Sequence, residues 1–339
     1  MNAKIISGLV LLLVVGAGVF GFVRLRGTGS NESYTGQTEK VTIGVEVGIL
    51  TAPILVAQEK GYFKEQGLDV QIKPYQAGKL ALEAMFSGEP LDMVTVGPVP
   101  IALKALGRDD FSILTTFVYS ESDDKIVARK DKGITTGSDL KGKRIGVTLG
   151  TSGQFFLSNY LILNGLSAAD VHMVDLKPDD LPEAFLSGEV DAMSTWEPRA
   201  YNTASAIGDG AVKLVNPGIF RETFNMVAMK AYTEGHAEVI KRFIRALDKA
   251  NTFIKEHPEE SHAIVAQASG VKVETVDAVS GAFVYQLSLD QSLLLTLEDI
   301  ARWAIQNKLT AASTVPNFLD FVNLDALSAV KPETVTITR

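Results

Sequence analysis

The stretch GKRIGVTLGTSGQFFL, residues 142–157, contains the features that decide the fold. Its apolar run at 144–149 predicts a buried strand, and the apolar spacing in 154–163 predicts a helix. The turn between them consists of Gly150, Thr151, Ser152 and Gly153. Free backbone N–H groups at a helix start suit a small anion, whereas the simpler alternative is that one of the two hydroxyls only caps the helix.

A second copy of this pattern occurs earlier in the chain. VTIGVEVG (41–48) matches KRIGVTLG (143–150) in its apolar and glycine positions. EAMFSGEPLDMVTVGP (83–98) likewise matches EAFLSGEVDAMSTWEP (183–198). Unless common α/β sequences coincide here by chance, the repeat predicts two similar α/β lobes that present strand–helix corners to a shared cleft.

Composition narrows the class of protein. The chain has 339 residues, 21% charged and 46% apolar, which is typical of a globular protein of about two domains. A net charge of −8 and the lack of a long basic run argue against nucleic acid as a partner. The chain has no cysteine, which excludes disulfides, thiolate metal sites, cysteine nucleophiles and a lipid-modified cysteine anchor.

The N-terminal segment, residues 1–26, predicts export. Residues 5–23 carry no charge and are long enough to span a bilayer or to form a long signal peptide. We favour an uncleaved anchor, which places the rest of the chain outside the cytoplasm and tethered to the membrane. Residues 27–40 are polar and rich in Gly, Ser and Thr, so they predict a flexible linker.

The order of predicted elements gives the domain organisation. Lobe 1 is expected to comprise residues 41–130 and 227–339, and lobe 2 residues 131–226. In this scheme a strand at 126–128 closes lobe 1, and a strand at 227–229 returns the chain to it. Because the chain crosses between the lobes twice, we expect a two-stranded hinge. The final third, which starts with an amphipathic helix, is expected to pack on lobe 1.

Three segments together resemble a known family. ILVAQEKGYFKEQGLDV (54–70), LKGKRIGV followed by GTS (140–152) and SGEVDAMSTWEP (187–198) are similar to the nitrate-, aliphatic sulfonate- and taurine-type substrate-binding proteins of ABC transporters. The resemblance implies the type II periplasmic binding fold, with two α/β lobes that close over a ligand by hinge motion. It also implies a small anionic or zwitterionic ligand, an ABC permease as partner and, we expect, a monomer.

The resemblance also implies which residues contact the ligand. They are Leu50, Thr51, Gly97, Pro98, Val99, Gly150, Thr151, Ser152, Trp196 and Glu197. These residues follow the carboxyl ends of predicted strands, where open α/β sheets bind ligands. Asn225, just before the returning strand, is a further candidate.

Two of these residues have an alternative interpretation. Trp196 offers a flat apolar wall to a ligand, or it fills the base of a lobe. Glu197 contacts ligand, or it ends a strand or caps a helix; if it faces the cleft, it favours a ligand with an amine as well as an acid.

The sequence predicts no catalytic residue, no metal and no cofactor. Its four histidines form no HExxH motif, and no GxSxG motif occurs. The carboxylate pairs Asp123–Asp124 and Asp179–Asp180 are expected to be solvated or to cap helices. The sequence therefore predicts an extracytoplasmic protein that delivers a sulfonate-, taurine- or nitrate-like oxyanion to a permease. The alternatives are a binding protein for a pyrimidine-type vitamin precursor or an aromatic acid, a tethered sensing module, and a biosynthetic enzyme of the same fold.

Overall fold

The computed structural model describes residues 34–338, and their strands pair into two β-sheets. The strands are β1 (Glu39–Glu46), β2 (Leu68–Tyr75), β3 (Met93–Val96), β4 (Phe111–Ser120), β5 (Lys125–Arg129), β6 (Arg144–Val147), β7 (His172–Asp175), β8 (Ala192–Thr195), β9 (Ala211–Leu214), β10 (Glu222–Met229) and β11 (Val284–Ser288). The first sheet has the order β11–β4–β10–β3–β1–β2, and the second has the order β7–β6–β8–β5–β9.

Helices cover the sheets and form the last third of the chain. They are α1 (Ala52–Glu59), α2 (Tyr62–Glu65), α3 (Gly78–Phe86), α4 (Pro98–Ala105), α5 (Ser152–Leu163), α6 (Leu181–Ser187), α7 (Arg199–Ile207), α8 (Lys230–Gly235), α9 (Ala237–Glu256), α10 (Pro258–Ser269), α11 (Val273–Ser280), α12 (Gln291–Gln306) and α13 (Leu324–Val330). Within residues 34–338, no helix combines the length and the apolar character that crossing a bilayer requires.

The two sheets are built alike, which confirms the two-lobe α/β prediction. In the first sheet β2, β1 and β3 are parallel, and β10 runs antiparallel beside β3. In the second sheet β7, β6 and β8 are parallel, and β5 runs antiparallel beside β8. The repeated sequence segments form β1 and β6, and α3–β3 and α6–β8. Equivalent strand ends of the two sheets therefore present equivalent helix starts.

The chain crosses between the sheets at two places, residues 121–124 and residues 215–221. The prediction that residues 126–128 close lobe 1 is wrong, because β5 pairs with β8 and β9 in the second sheet. The predicted lobe boundary at 226 is also late, since β10 already pairs with β3 and β4 from Glu222 onward. A four-residue connection between apolar strands fits a hairpin as well as a crossing, and only the long-range pairing distinguishes them.

The helical last third packs on the first sheet and its helices, as the sequence predicts. Phe243 of α9 stacks on Phe63 of α2 with ring centroids 4.8 Å apart. Strand β11, which the sequence analysis did not predict, adds to the edge of the first sheet beside β4. The predicted linker ends earlier than expected, because Glu39 and Lys40 already belong to β1. The predicted anchor, residues 1–26, lies outside the described residues.

Candidate ligand-binding cleft

A cavity lies between the two sheets. The first sheet and the helix starts after its strands contribute Glu46, Leu50, Lys79, Gly97 and Phe224 to the lining. The second sheet contributes Thr151, Ser152 and Trp196. Two further acidic residues line the cavity. Asp123 lies in the first crossing between the sheets, and Glu222 directly follows the second. The cavity is therefore an interlobe site, because both sheets contribute to its wall.

The structure brings together about half of the predicted contact residues. Those that line the cavity are Leu50, Gly97, Thr151, Ser152 and Trp196. Those that do not line it are Thr51, Pro98, Val99, Gly150, Glu197 and Asn225. Pro98 and Val99 lie in the buried first turn of α4, and Gly150 forms a left-handed turn with φ +73° before α5.

Thr51 and Asn225 stabilise the protein framework instead of facing the cavity. The hydroxyl of Thr51 donates to the carbonyl of Glu46 at 2.7 Å and so closes the turn after β1. The Asn225 side chain, fully buried, accepts from the Thr116 hydroxyl at 2.6 Å and donates to the carbonyl of Val96 at 3.2 Å. The side chains of both residues form hydrogen bonds with neighbouring strands, because buried polar atoms need partners.

The start of α5 is the corner that the opening stretch predicts. Thr151 is at the N-cap position, but its hydroxyl donates to the carbonyl of Thr148 at 2.7 Å and does not cap the helix. Ser152 begins the helix and lines the cavity. Lys79 reaches across from α3, and its Nζ donates to the carbonyl of Leu149 at 2.8 Å. One positive side chain and the uncapped helix start thus meet at this end of the cavity.

Trp196 connects the two sheets. Its indole Nε1 donates to Oε1 of Glu46 at 2.8 Å, and the indole is 4% exposed. Glu46 ends β1, and its Oε2 accepts from the backbone N–H of Gly78 at 3.1 Å. Arg199 adds a contact of 3.5 Å to the same carboxylate. The tryptophan therefore both borders the cavity and closes it with a hydrogen bond to the opposite lobe.

Glu197 takes a structural position beside the cavity. Its Oε1 pairs with Lys125 Nζ at 2.8 Å, and its Oε2 accepts from the backbone N–H of Tyr201 at 2.8 Å in the first turn of α7. It borders a second, neighbouring cavity that shares Glu46 and Leu50 with the first. Of its two sequence interpretations, the structure thus shows the helix-terminal one.

The carboxylates of the cleft are the feature that the sequence analysis missed. Asp123 and Asp124, expected to be solvated or capping, are 2% and 4% exposed, and Glu222 is 4% exposed. Oδ1 of Asp123 accepts from the backbone N–H of Glu197 at 3.1 Å. The acids were missed because they belong to the crossings, whose burial depends on how the lobes meet. Asp179, in contrast, is half exposed and pairs with Arg199 at 3.0 Å.

Burial and mutual repulsion raise the pKa values of these acids. Burial, and then the neighbouring Asp124, raise the pKa of Asp123 well above its usual range. Burial raises the pKa of Asp124 to about 7, although the nearby Ser152 hydroxyl and Lys125 oppose the change. The pKa of Glu222 is raised well above its usual value by burial and by the charges of Asp124, Asp123 and Glu46. Burial also raises the pKa of Glu46, against the opposing effect of Arg199. The cavity is therefore acidic, and its carboxyl groups hold protons more tightly than exposed ones.

Comparison with known proteins places this cleft in a family. Residues 50–261 match the family model described as NMT1/THI5 like. A protein of Bacillus subtilis (strain 168) that carries the name aliphatic sulfonates-binding protein is 30% identical over 80% of this chain and 81% of its own length. The taurine-binding periplasmic protein of Escherichia coli (strain K12) is 26% identical over 77% of this chain and 83% of its own length.

A solved structure shows the same architecture. The alkanesulfonate-binding protein SsuA from Xanthomonas axonopodis pv. citri, bound to MOPS, superposes with a TM-score of 0.74. The match covers 85% of this chain and 99% of that protein at 20% identity, so it supports the fold alone. The family model matches more than half of this chain. The chain therefore belongs to the NMT1/THI5-like family, and it has the fold of the periplasmic sulfonate-binding proteins.

Proposed function

We propose that the chain is an extracytoplasmic solute-binding protein that holds a small organic ligand in the interlobe cavity and delivers it to an ABC permease. The observation that carries the proposal is the cavity itself, whose wall comes from both sheets. Such a site is complete only when the lobes are close together, so ligand binding and lobe closure are energetically coupled. The names of the relatives support transport of a sulfonate- or taurine-like compound.

The acid end of such a ligand fits the corner between α5 and Lys79. Ser152 offers a hydroxyl, the first turn of α5 offers unpaired backbone N–H groups, and Lys79 offers a positive charge. A sulfonate or carboxylate group accepts hydrogen bonds from all three kinds of donor. We therefore place the oxyanion of the ligand at this end of the cavity.

The proposal is for a binding protein and not for an enzyme. The four histidines, His172, His236, His257 and His262, all lie within the described residues, and none of them lines the cavity. His262 pairs with Asp277, while His236 and His257 stack on Tyr232 and Phe253. The cavity thus has hydrogen-bonding and charged groups for holding a molecule, in keeping with capture and release.

Thermal unfolding of the full-length protein against a ligand panel tests the function. The panel contains taurine, alkanesulfonates, nitrate, bicarbonate, aminopyrimidines and aromatic acids. A compound at about 1,000 times its dissociation constant should add about 4 kcal/mol to the unfolding free energy. If no compound raises the unfolding temperature, the solute-binding function is contradicted.

Two serines of α5 supply a matched pair of variants. Ser152→Ala removes a hydroxyl that lines the cavity and should weaken binding by about 1–3 kcal/mol if that hydroxyl contacts an anionic group. Ser158→Ala removes a hydroxyl that donates to the carbonyl of Gln154 within the helix, at 2.9 Å, and should leave affinity unchanged. Equal effects of the two variants would argue against the anion corner.

Delivery to a permease, with the protein tethered to the membrane by residues 5–23, is tested separately. The chain lacks cysteine, so a single cysteine introduced at Ile162, which is 64% exposed, is a unique attachment point for a crosslinker. Crosslinking in native membranes to a multi-spanning permease supports delivery. Crosslinking to a membrane receptor in its place supports the sensing alternative, and recovery in the cytoplasmic fraction supports the enzyme alternative.

A further inference from the structure

Three buried carboxyl groups around the cavity lack a positive partner. Asp123 and Asp124 lie in the first crossing between the sheets, and Glu222 lies directly after the second. One oxygen of Asp123 and one oxygen of Glu222 are buried without a hydrogen-bond partner among residues 34–338, whereas the Ser152 hydroxyl lies beside the buried Asp124 carboxyl group. Because a buried, unpartnered carboxyl oxygen is costly, each of these atoms marks a place where a donor is missing.

The positive side chains nearby are already used. Arg199 contacts Glu46 and Asp179, and Lys125 pairs with Glu197 at 2.8 Å. Lys79 lies at the other corner, where its Nζ donates to the carbonyl of Leu149. The described part of the chain thus leaves Asp123, Asp124 and Glu222 without an ion pair of their own. Residues 34–338 thus supply no donor for the unpartnered oxygens of Asp123 and Glu222.

The carboxyl groups border a cavity and do not converge on a single position. Asp123 and Glu222 line the cavity, and one oxygen of Glu222 lies directly over Gly97, where a Cβ would come within 2.3 Å of it. Within residues 34–338, no three acidic or histidine side chains are placed to hold a metal ion. A molecule with several N–H donors can reach carboxyl groups that a compact ion cannot reach together.

We propose that the cavity selects ligands that carry a protonated or N–H-rich nitrogen group, which donates to Asp123 and Glu222, the two of these three acids that line the cavity. The inference rests on the proposed solute-binding function and names the ligand class. A simple oxyanion has no N–H group to donate to the buried oxygens of Asp123 and Glu222. A nitrogen cation supplies both the missing donors and the missing positive charge. A zwitterion satisfies these carboxyl groups and the α5 corner together, since its acid group is received by Lys79 and the first turn of α5.

Pairs of ligands that differ only in the presence of one amino group test this selection. Titration calorimetry of the full-length protein compares taurine with ethanesulfonate, and 4-aminopyrimidine with pyrimidine. The first pair represents an amine on a sulfonate, and the second represents an amino group on a heterocycle. We expect taurine, 4-aminopyrimidine or both to bind about tenfold or more tightly than the partner compound that lacks the amino group.

Variants then assign the effect to the carboxyl groups. Glu222→Gln and Asp123→Asn are expected to weaken binding of the preferred nitrogen compound about tenfold or more, while binding of its amine-free partner stays the same or becomes tighter. Glu121→Gln is the matched control, because Glu121 is an exposed acid in the same crossing. Unfolding temperatures of all variants show that each protein is folded.

The outcomes separate the inference from the function on which it rests. If the amine-free members bind as tightly as their partners, the nitrogen selection is wrong and the solute-binding function stands. If Mg²⁺ or Ca²⁺ binds and Glu222→Gln abolishes that binding, the acids form a metal site and the inference is wrong. If the folded protein binds no member of either pair while another compound of the panel raises its unfolding temperature, the inference is contradicted and the solute-binding function stands.

Discussion

Trp196 Nε1 donates a hydrogen bond of 2.8 Å to Glu46 Oε1, and the two residues belong to different sheets. Glu46 ends β1 and Trp196 follows β8, so the bond joins the carboxyl ends of two strands that belong to different lobes. A buried hydrogen bond to a carboxyl group is among the stronger single contacts in a protein. This pair therefore favours the closed arrangement of the lobes from inside the cleft.

Replacing the indole donor is expected to loosen the cleft. Trp196→Phe keeps an aromatic ring but removes the N–H, so the affinity for the best-binding panel compound should fall about tenfold or more. Trp303→Phe is the matched control, since the Nε1 of Trp303 is buried without a partner in the described part of the chain. Titration calorimetry gives the affinities, and small-angle scattering gives the radius of gyration. A similar change in both variants would contradict the role of the Glu46 contact.

The unfolding free energy of the ligand-free protein should fall as the pH rises from about 4 to about 7. The pKa of Asp124 is about 7 in the folded protein and near 4 in an unfolded chain, so the folded state binds the extra proton over this range. The stabilising contribution is complete below pH 4 and is lost as the pH passes through 7. A tenfold change in acid dissociation corresponds to about 1.4 kcal/mol, so the loss from Asp124 is at most about 4 kcal/mol.

Asp124→Asn tests this pH dependence. The variant should be more stable than the natural protein at pH 7.5 and should show a shallower slope between pH 4 and 7, measured by urea unfolding. Glu121→Gln, which changes an exposed acid, should leave the slope unaltered. A parallel pH profile in Asp124→Asn and the natural protein would rule out Asp124 as the titrating group.

Gly97→Ala is expected to disturb binding more than folding. The added Cβ would lie 2.3 Å from Oε1 of Glu222, and this carboxyl group, at the end of a flexible side chain, has to move. We expect about tenfold weaker ligand binding and a change in unfolding free energy of about 1 kcal/mol or less. Gly107→Ala, just beyond the other end of α4, meets no atom within 4 Å and is the control. If both variants bind alike, Glu222 does not shape the cavity.

The buried ion pair between Lys125 and Glu197 should be important for stability. Their side chains are 13% and 4% exposed, so Lys125→Met leaves a buried carboxylate beside Asp123 and should cost about 3–5 kcal/mol at pH 7. Lys241→Met breaks the more exposed pair with Glu238 on α9 and should cost about 1 kcal/mol or less. Urea unfolding measures both. A small loss in Lys125→Met would show that the pair is solvated in solution.

The fold followed from the sequence because its signals are local and repeated. The stretch around 144–157 forms β6, the turn and α5, nearly as predicted, and its counterpart around Val41 forms β1. Apolar runs and helix starts are properties of a few neighbouring residues. The assignment of β5 failed because pairing across the sheet, over long sequence separations, decides which lobe a strand joins.

The candidate site was only partly predictable for a similar reason. Strand ends and helix starts identified Leu50, Ser152 and Trp196, because an open sheet gathers such residues at one edge. Glu46, a carboxylate at the end of an apolar strand, satisfied the same rule and was overlooked. Asp123 and Asp124 carried no such signal, since adjacent acids between strands are ordinarily solvated and only the meeting of two lobes buries them.

The position of the carboxyl groups on the crossings has a consequence for the order of events. When two lobes rotate about a hinge, atoms near its axis are displaced least, and the displacement grows with distance from the axis. Asp123 and Asp124 lie in the four-residue crossing, residues 121–124, whereas Ser152 and Trp196 belong to the second lobe. A ligand that enters the open protein therefore meets the acids already in place, and the remaining contacts arrive with closure. Its arrival rate should depend on its positive charge and on ionic strength, and its residence time on what the second lobe adds.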